Sequence, residues 1–104
     1  DVLIAEATDS KCYDTVVISK AADAMLAMSG IEASFVLAKN TQGFISISAR
    51  SRSKLNVQRI MEELGGGGHF NLAAAQIQDL TLSEAGEKLT EIVLNEIKEK
   101  EKEE

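Results

Sequence analysis

Ile31-Glu32-Ala33-Ser34-Phe35-Val36-Leu37, then Asn40-Thr41-Gln42-Gly43, then Phe44-Ile45-Ser46-Ile47-Ser48-Ala49-Arg50: these eighteen positions decide how the chain folds. In the first run Ile31, Ala33, Phe35 and Leu37 alternate with Glu32, Ser34 and Val36, the period of a strand with distinct faces. Asn, Thr, Gln and Gly between two such runs are a turn signal, so the pair reads as a β-hairpin. In the second run Ile45, Ile47 and Ala49 point one way, and Phe44, Ser46, Ser48 and Arg50 share the other face. One face of the sheet is therefore apolar and the other carries polar groups.

Outward from the hairpin, Val2-Leu3-Ile4-Ala5 is a continuous apolar run that reads as a strand buried on both sides, ending at the turn Thr8-Asp9-Ser10-Lys11. Asp14 is placed to cap a helix whose Val17, Ile18, Ala21, Ala22, Met25 and Met28 follow helical spacing, with Gly30 where a C-cap glycine belongs. Downstream, Asn56 caps a short helix with Val57, Ile60, Met61 and Leu64 at i, i+3, i+4 and i+7. A helical turn over Phe70 to Ala73 and a strand from Ala74 to Leu80 are expected next. Thr81 with Glu84 makes a capping box for a closing helix that buries Leu82, Ala85, Leu89, Ile92, Val93 and Ile97, and residues 98–104 form a charged, fraying tail. The order β-α-β-β-α-loop-β-α describes a single α/β (α+β) domain, a mixed sheet of about four to five strands flanked by helices.

A chain of 104 residues, 44% of them hydrophobic, supports one modest core. The absence of an initiator methionine and the immediate entry into Val2-Leu3-Ile4 read as a segment of a longer protein. Its apolar stretches are too short to span a bilayer and no signal peptide is evident, so the piece is expected to be soluble. One cysteine, Cys12, excludes an intrachain disulfide and reads as a loop residue. The net charge of −6 argues against binding long nucleic acids. The charge is uneven: Glu84, Glu87, Glu91, Glu96, Glu99, Glu101, Glu103 and Glu104 load the C-terminal quarter, whereas residues 33–61 hold Lys39, Arg50, Arg52, Lys54 and Arg59 and no acid. That basic stretch reads either as an electropositive patch or as a solvated surface.

It leads into Gly65-Gly66-Gly67-Gly68-His69, four consecutive glycines and the only histidine. Each glycine costs roughly 0.5–1 kcal/mol in an ordered element, so the run calls for a compensating use. A helix C-cap explains Gly65 alone, a linker would continue with serine or charge, and a tight turn needs fewer glycines. Bare backbone N–H groups converging on an anion, helped by a following helix start, account for more of the run, with His69 and Arg50 as phosphate contacts. One histidine and one cysteine cannot form a His/Cys metal cage, and no EF-hand, Walker, Rossmann or G-x-S-x-G pattern is present.

These residues carry a resemblance. Gly65-Gly66-Gly67-Gly68-His69 followed closely by alanines, with Ile47-Ser48-Ala49-Arg50-Ser51 and Asn56-Val57-Gln58-Arg59-Ile60-Met61 upstream, resembles the DHH-associated C-terminal domain of the DHH phosphoesterases. The three residues Phe70-Asn71-Leu72 between His69 and the alanines fit the GdpP-type cyclic-di-AMP phosphodiesterases better than the oligoribonucleases, exonucleases or the alanyl-tRNA synthetase version. The resemblance implies that residues 1–97 form a substrate-binding domain. Gly66, Gly67, Gly68 and His69 would hold nucleotide phosphate, and Arg50 and Ser51 would add contacts. It implies no catalytic or metal-binding residue here. Catalysis would use manganese ions in a preceding DHH domain, opening cyclic di-AMP to linear pApA, with this fragment inactive alone. The parent would be anchored in the bacterial membrane with this domain in the cytoplasm. A homodimer, the base specificity and contacts from Arg52, Lys54 or Lys39 are left open. A non-enzymatic phosphate-binding or assembly module is the alternative from another class.

Overall fold

The computed structural model describes residues 1–8 and 10–103, so Asp9 of the expected first turn and Glu104 lie outside the described residues. The hairpin forms as read: β2 (Ala33–Lys39) and β3 (Ile45–Ser51) pair antiparallel with Phe35 opposite Ala49 and Leu37 opposite Ile47. Asn40 builds the turn between them, its Oδ1 accepting from Gln42 N at 2.9 Å and Phe44 N at 3.1 Å. Its Nδ2 donates to Ser46 Oγ at 2.9 Å.

Before the hairpin come β1 (Val2–Glu6) and α1 (Thr15–Leu26); after it come α2 (Val57–Glu62), β4 (Gly67–His69), β5 (Leu72–Ile77) and α3 (Leu82–Glu103). The sheet runs β1-β2-β3-β5-β4, with β1 parallel to β2 and the other pairs antiparallel. The parallel pair needs a crossover, which α1 supplies.

Three readings are corrected. β1 is an edge strand, so Val2, Leu3, Ile4 and Ala5 are only half-buried rather than covered on both sides. α1 ends at Leu26 and not at Gly30, which instead shapes the turn into β2 with φ 81. The carbonyls of Leu26 and Ile31 are taken by the Arg52 guanidinium. No helical turn forms over Phe70–Ala73; Phe70 and Asn71 make the tip of a β-hairpin joining β4 to β5, and β5 stops at Ile77 before the positive-φ residue Asp79.

The sheet has two unlike faces. Ala33, Phe35, Leu37, Ile45, Ile47, Ala49, Ala73 and Ala75 face α2 and α3 and pack with Val57, Ile60, Met61, Leu82, Ala85, Leu89 and Val93 into the main core. The opposite face carries Ser34, Val36, Ala38, Ser46, Ser48 and Arg50 beneath α1, where Ile18 and Ala22 make a second, smaller cluster with Val36 and Ala38. The helices begin where the sequence places them. Asp14 Oδ1 accepts from Val16 N, Asn56 Oδ1 from Arg59 N, and Thr81 and Glu84 exchange reciprocal bonds at the start of α3. Residues 98–103 continue α3. Among the described residues no helix is long and apolar enough to cross a membrane.

Candidate functional site

The glycine run leads from the end of α2 into the edge strand β4, which Gly67 and Gly68 open, and no helix follows it. Gly65 ends α2 with φ 84; Gly65 N donates to Glu62 O and Gly66 N to Met61 O, the paired bonds of a Schellman ending. At Gly66 a Cβ would meet Ala74 O and Ala75, and at Gly68 it would meet Leu72 O and Ala73, so both glycines are demanded by the close approach of β5. Successive N–H groups of a strand point in opposite directions, so the run does not converge on one anion as a cradle, and no helix dipole follows it.

Gly67 is different. Its φ is not in the left-handed region and a Cβ there would meet nothing within 4 Å. By register it lies opposite Ala74, while His69 lies opposite Leu72, and both sit on the α1 side of the sheet. Leu72 in turn faces Arg50, which faces Ser34. One cross-sheet row therefore reads Ser34, Arg50, Leu72, His69. Two strand spacings separate the Arg50 and His69 backbones, roughly 9–10 Å.

Over β2 and β3 this row is roofed by α1; over β5 and β4 it is not. Ser34 Oγ donates to Ala22 O at 2.7 Å, Ser48 and Ser19 share a hydrogen bond at 3.1 Å, and Arg50 Nε donates to Asp23 Oδ1 at 2.7 Å. Arg50 Nη1 donates to Ala49 O at 2.9 Å. Beyond that roof Leu72, Ala74, Gln76, Gly68 and His69 are exposed, with Gly67 half-buried. The result is a shelf whose wall is the flank of α1, with Asp23 and Ser19, and whose floor is bare strand.

The six residues named from sequence therefore separate. His69 and Gly67 line the shelf, and Arg50 borders it, 8% exposed, with part of its guanidinium engaged by Asp23 and Ala49. Gly66 and Gly68 pack against β5. Ser51 is buried and its hydroxyl is occupied, donating to Phe70 O and accepting from Asn71 Nδ2. The basic stretch is dispersed: Arg52 binds the carbonyls after α1, Lys39 sits at the far end of β2, and Arg59 lies 3.7 Å from Glu96 of α3. Asp23 was not legible beforehand, because its partner is 27 residues away in sequence. Among the described residues no three His, Cys, Asp or Glu side chains come together in a way that could hold a metal ion.

The carboxylate of Glu32 organises the segment after β3, accepting from Lys54 N at 2.8 Å, Ser53 N at 3.1 Å and Leu55 N at 3.2 Å. Partial burial pushes its pKa up, but these N–H groups, with that of Arg52, outweigh burial and hold it below the ordinary value.

The model of the DHHA1 domain matches residues 2–101. The chain belongs to the DHHA1 family. It is 47% identical over 92 residues to the cyclic-di-AMP phosphodiesterase GdpP of Geobacillus thermodenitrificans, covering 88% of this chain and 14% of that protein. It is 48% identical over 86 residues to the cyclic-di-AMP phosphodiesterase PdeA of Listeria monocytogenes, covering 83% of this chain and 13% of that protein. The DHHA1 chain thus spans about one seventh of these relatives' length. Among solved structures, an exopolyphosphatase-related protein from Bacteroides fragilis superposes with a TM-score of 0.58 at 28% identity, over 71% of this chain and 21% of that one.

Proposed function

We propose that this domain is the substrate-clamping lobe of a cyclic-di-AMP phosphodiesterase, closing over a nucleotide whose phosphodiester is cut by manganese ions held in a preceding DHH domain of the same protein. The observation that carries the reading is the shelf itself: an exposed imidazole, an adjoining guanidinium and a bare Gly67 backbone in one row, on a part of the α1 face that α1 leaves open. His69 and the free donors of Arg50 supply hydrogen bonds to phosphate oxygens. Leu72 and Ala74 between and beside them supply an apolar floor for a base. Gly67 lets the ligand approach the backbone, where any side chain would stand in the way.

Among the described residues the acids and the histidine do not assemble a metal set, and we assign the metal chemistry that yields linear pApA to the other domain. A lobe that binds and orients, set against a domain that activates water, is a division of labour that closure of the two completes. The whole protein is proposed to be anchored in the bacterial membrane with this domain on the cytoplasmic side.

Titration of cyclic di-AMP into the isotope-labelled domain tests the reading. Amide shifts centred on Gly67, His69, Leu72 and Arg50 are expected, together with no hydrolysis when manganese is added to the domain alone. Shifts confined to α3, or turnover by the isolated domain, would refute it.

A further inference from the structure

What aims His69 lies outside the glycine run. Two-residue hairpin loops ordinarily use turns with positive φ, whose twist matches the flanking strands. The β4–β5 loop has only Phe70 and Asn71, and neither takes positive φ. The tip is fastened from outside instead, by the segment that leaves β3. Phe70 O accepts from Val57 N at 3.0 Å and from Ser51 Oγ at 3.3 Å. Asn71 O accepts from Ser51 N at 3.0 Å. The Asn71 side chain then closes the clasp, its Nδ2 donating to Arg52 O at 2.7 Å, Ser51 O at 3.2 Å and Ser51 Oγ at 3.3 Å.

An amide nitrogen carries two N–H groups, and three acceptors surround this one, so both are used and one is shared. Few side chains fit: serine offers a single shorter donor, and aspartate would set a carboxylate against the same oxygens. The clasp ties the residue two after His69 to the residue one after Arg50. It therefore fixes the spacing between the two phosphate-facing side chains across β5, which neither strand fixes alone, because β4 has no side chain before His69 with which to pack.

We infer that Asn71 is a positioning residue for the shelf, acting through His69 and touching no reacting atom. The inference rests on the substrate-lobe reading above. In the full-length phosphodiesterase, Asn71→Ala is expected to raise KM for cyclic di-AMP on the order of tenfold, with a smaller change in kcat, since misplacement of a binding group by about 1 Å is costly. Asn71→Ser, which keeps one donor, should fall between Asn71→Ala and the parent, and it serves if the alanine variant does not fold.

Two controls separate positioning from simple loss of stability. Thr81→Ala removes the cap of α3 at the opposite end of β5, and should lower Tm while leaving KM unchanged. The double variant Asn71→Ala/His69→Ala should be no worse than His69→Ala, because residues acting as a unit are not additive. A KM at the parent's value in the Asn71 variants, or additive losses in the double variant, would overturn the inference while leaving the lobe reading intact. Parental kinetics in His69→Ala would overturn the lobe reading and the inference together.

Discussion

The two faces of the sheet are built on different principles. On the α2/α3 side Phe35, Leu37, Ile47, Ile60, Met61 and Leu89 are fully buried in one continuous apolar layer. On the α1 side the buried residues include Ser34, Ser48 and Arg50, each tied to a named partner on α1, and the covering stops after β3. Close packing leaves no room for a ligand and supplies most of the stability. A polar face whose helix roofs only two of its strands holds the fold less tightly, and it leaves a surface that can bind. In this domain the packed core and the proposed recognition surface occupy opposite sides of one β-sheet.

The contrast can be broken first where it is largest. Phe35→Ala, on the closed face, should cost about 3–5 kcal/mol in urea unfolding. Val36→Ala, the next residue on the other face, should cost about 1–2 kcal/mol, the value of the methyl groups removed. Equal losses would show that the two faces contribute alike. A sharper comparison lies within β4. Gly68→Ala puts a Cβ into Leu72 O and Ala73 and should destabilise by roughly 1–3 kcal/mol. Gly67→Ala should change stability by less than about 0.5 kcal/mol and yet weaken cyclic-di-AMP binding by calorimetry. If Gly67→Ala unfolds as readily as Gly68→Ala, the open side of β4 is not open.

The smallest effect concerns the strap after β3. Because the folded-state pKa of Glu32 lies below its ordinary 4.5, its contribution is complete above about pH 4.5 and is lost as the pH falls through the folded value. The Tm difference between the parent and Glu32→Gln should therefore be present at neutral pH and shrink in acid. A difference that stays constant down to pH 3 would remove the carboxylate from the strap.

Elements with their own periodicity or caps were legible in the sequence. The hairpin, the Val57-Ile60-Met61-Leu64 stripe, Asn56, the Thr81–Glu84 box and Gly65 as a helix ending all stand where the residue pattern puts them. Glycine has no side chain to alternate, so β4 shows no strand period, and Phe70 to Ala73 after it read as a helical turn. The purpose of Gly66 and Gly68 was equally hidden, since it depends on β5 lying against them. Within the site, His69 and Arg50 stood out by type. Their environment did not: the pairing of Arg50 with Asp23, the occupied hydroxyl of Ser51 and the clasp of Asn71 are all contacts across 19 or more positions of sequence.

The glycine edge strand has one more consequence, for the order in which the domain assembles. Four glycines in a row give the unfolded chain more freedom at this point than elsewhere, so ordering β4 carries an unusually large entropic cost. The contacts that repay it come from the end of α2, from β5 and from the residues that leave β3. Those must exist before β4 can settle. The strand that presents His69 should then be the first to open, its amides exchanging with solvent while those of the central strands stay protected.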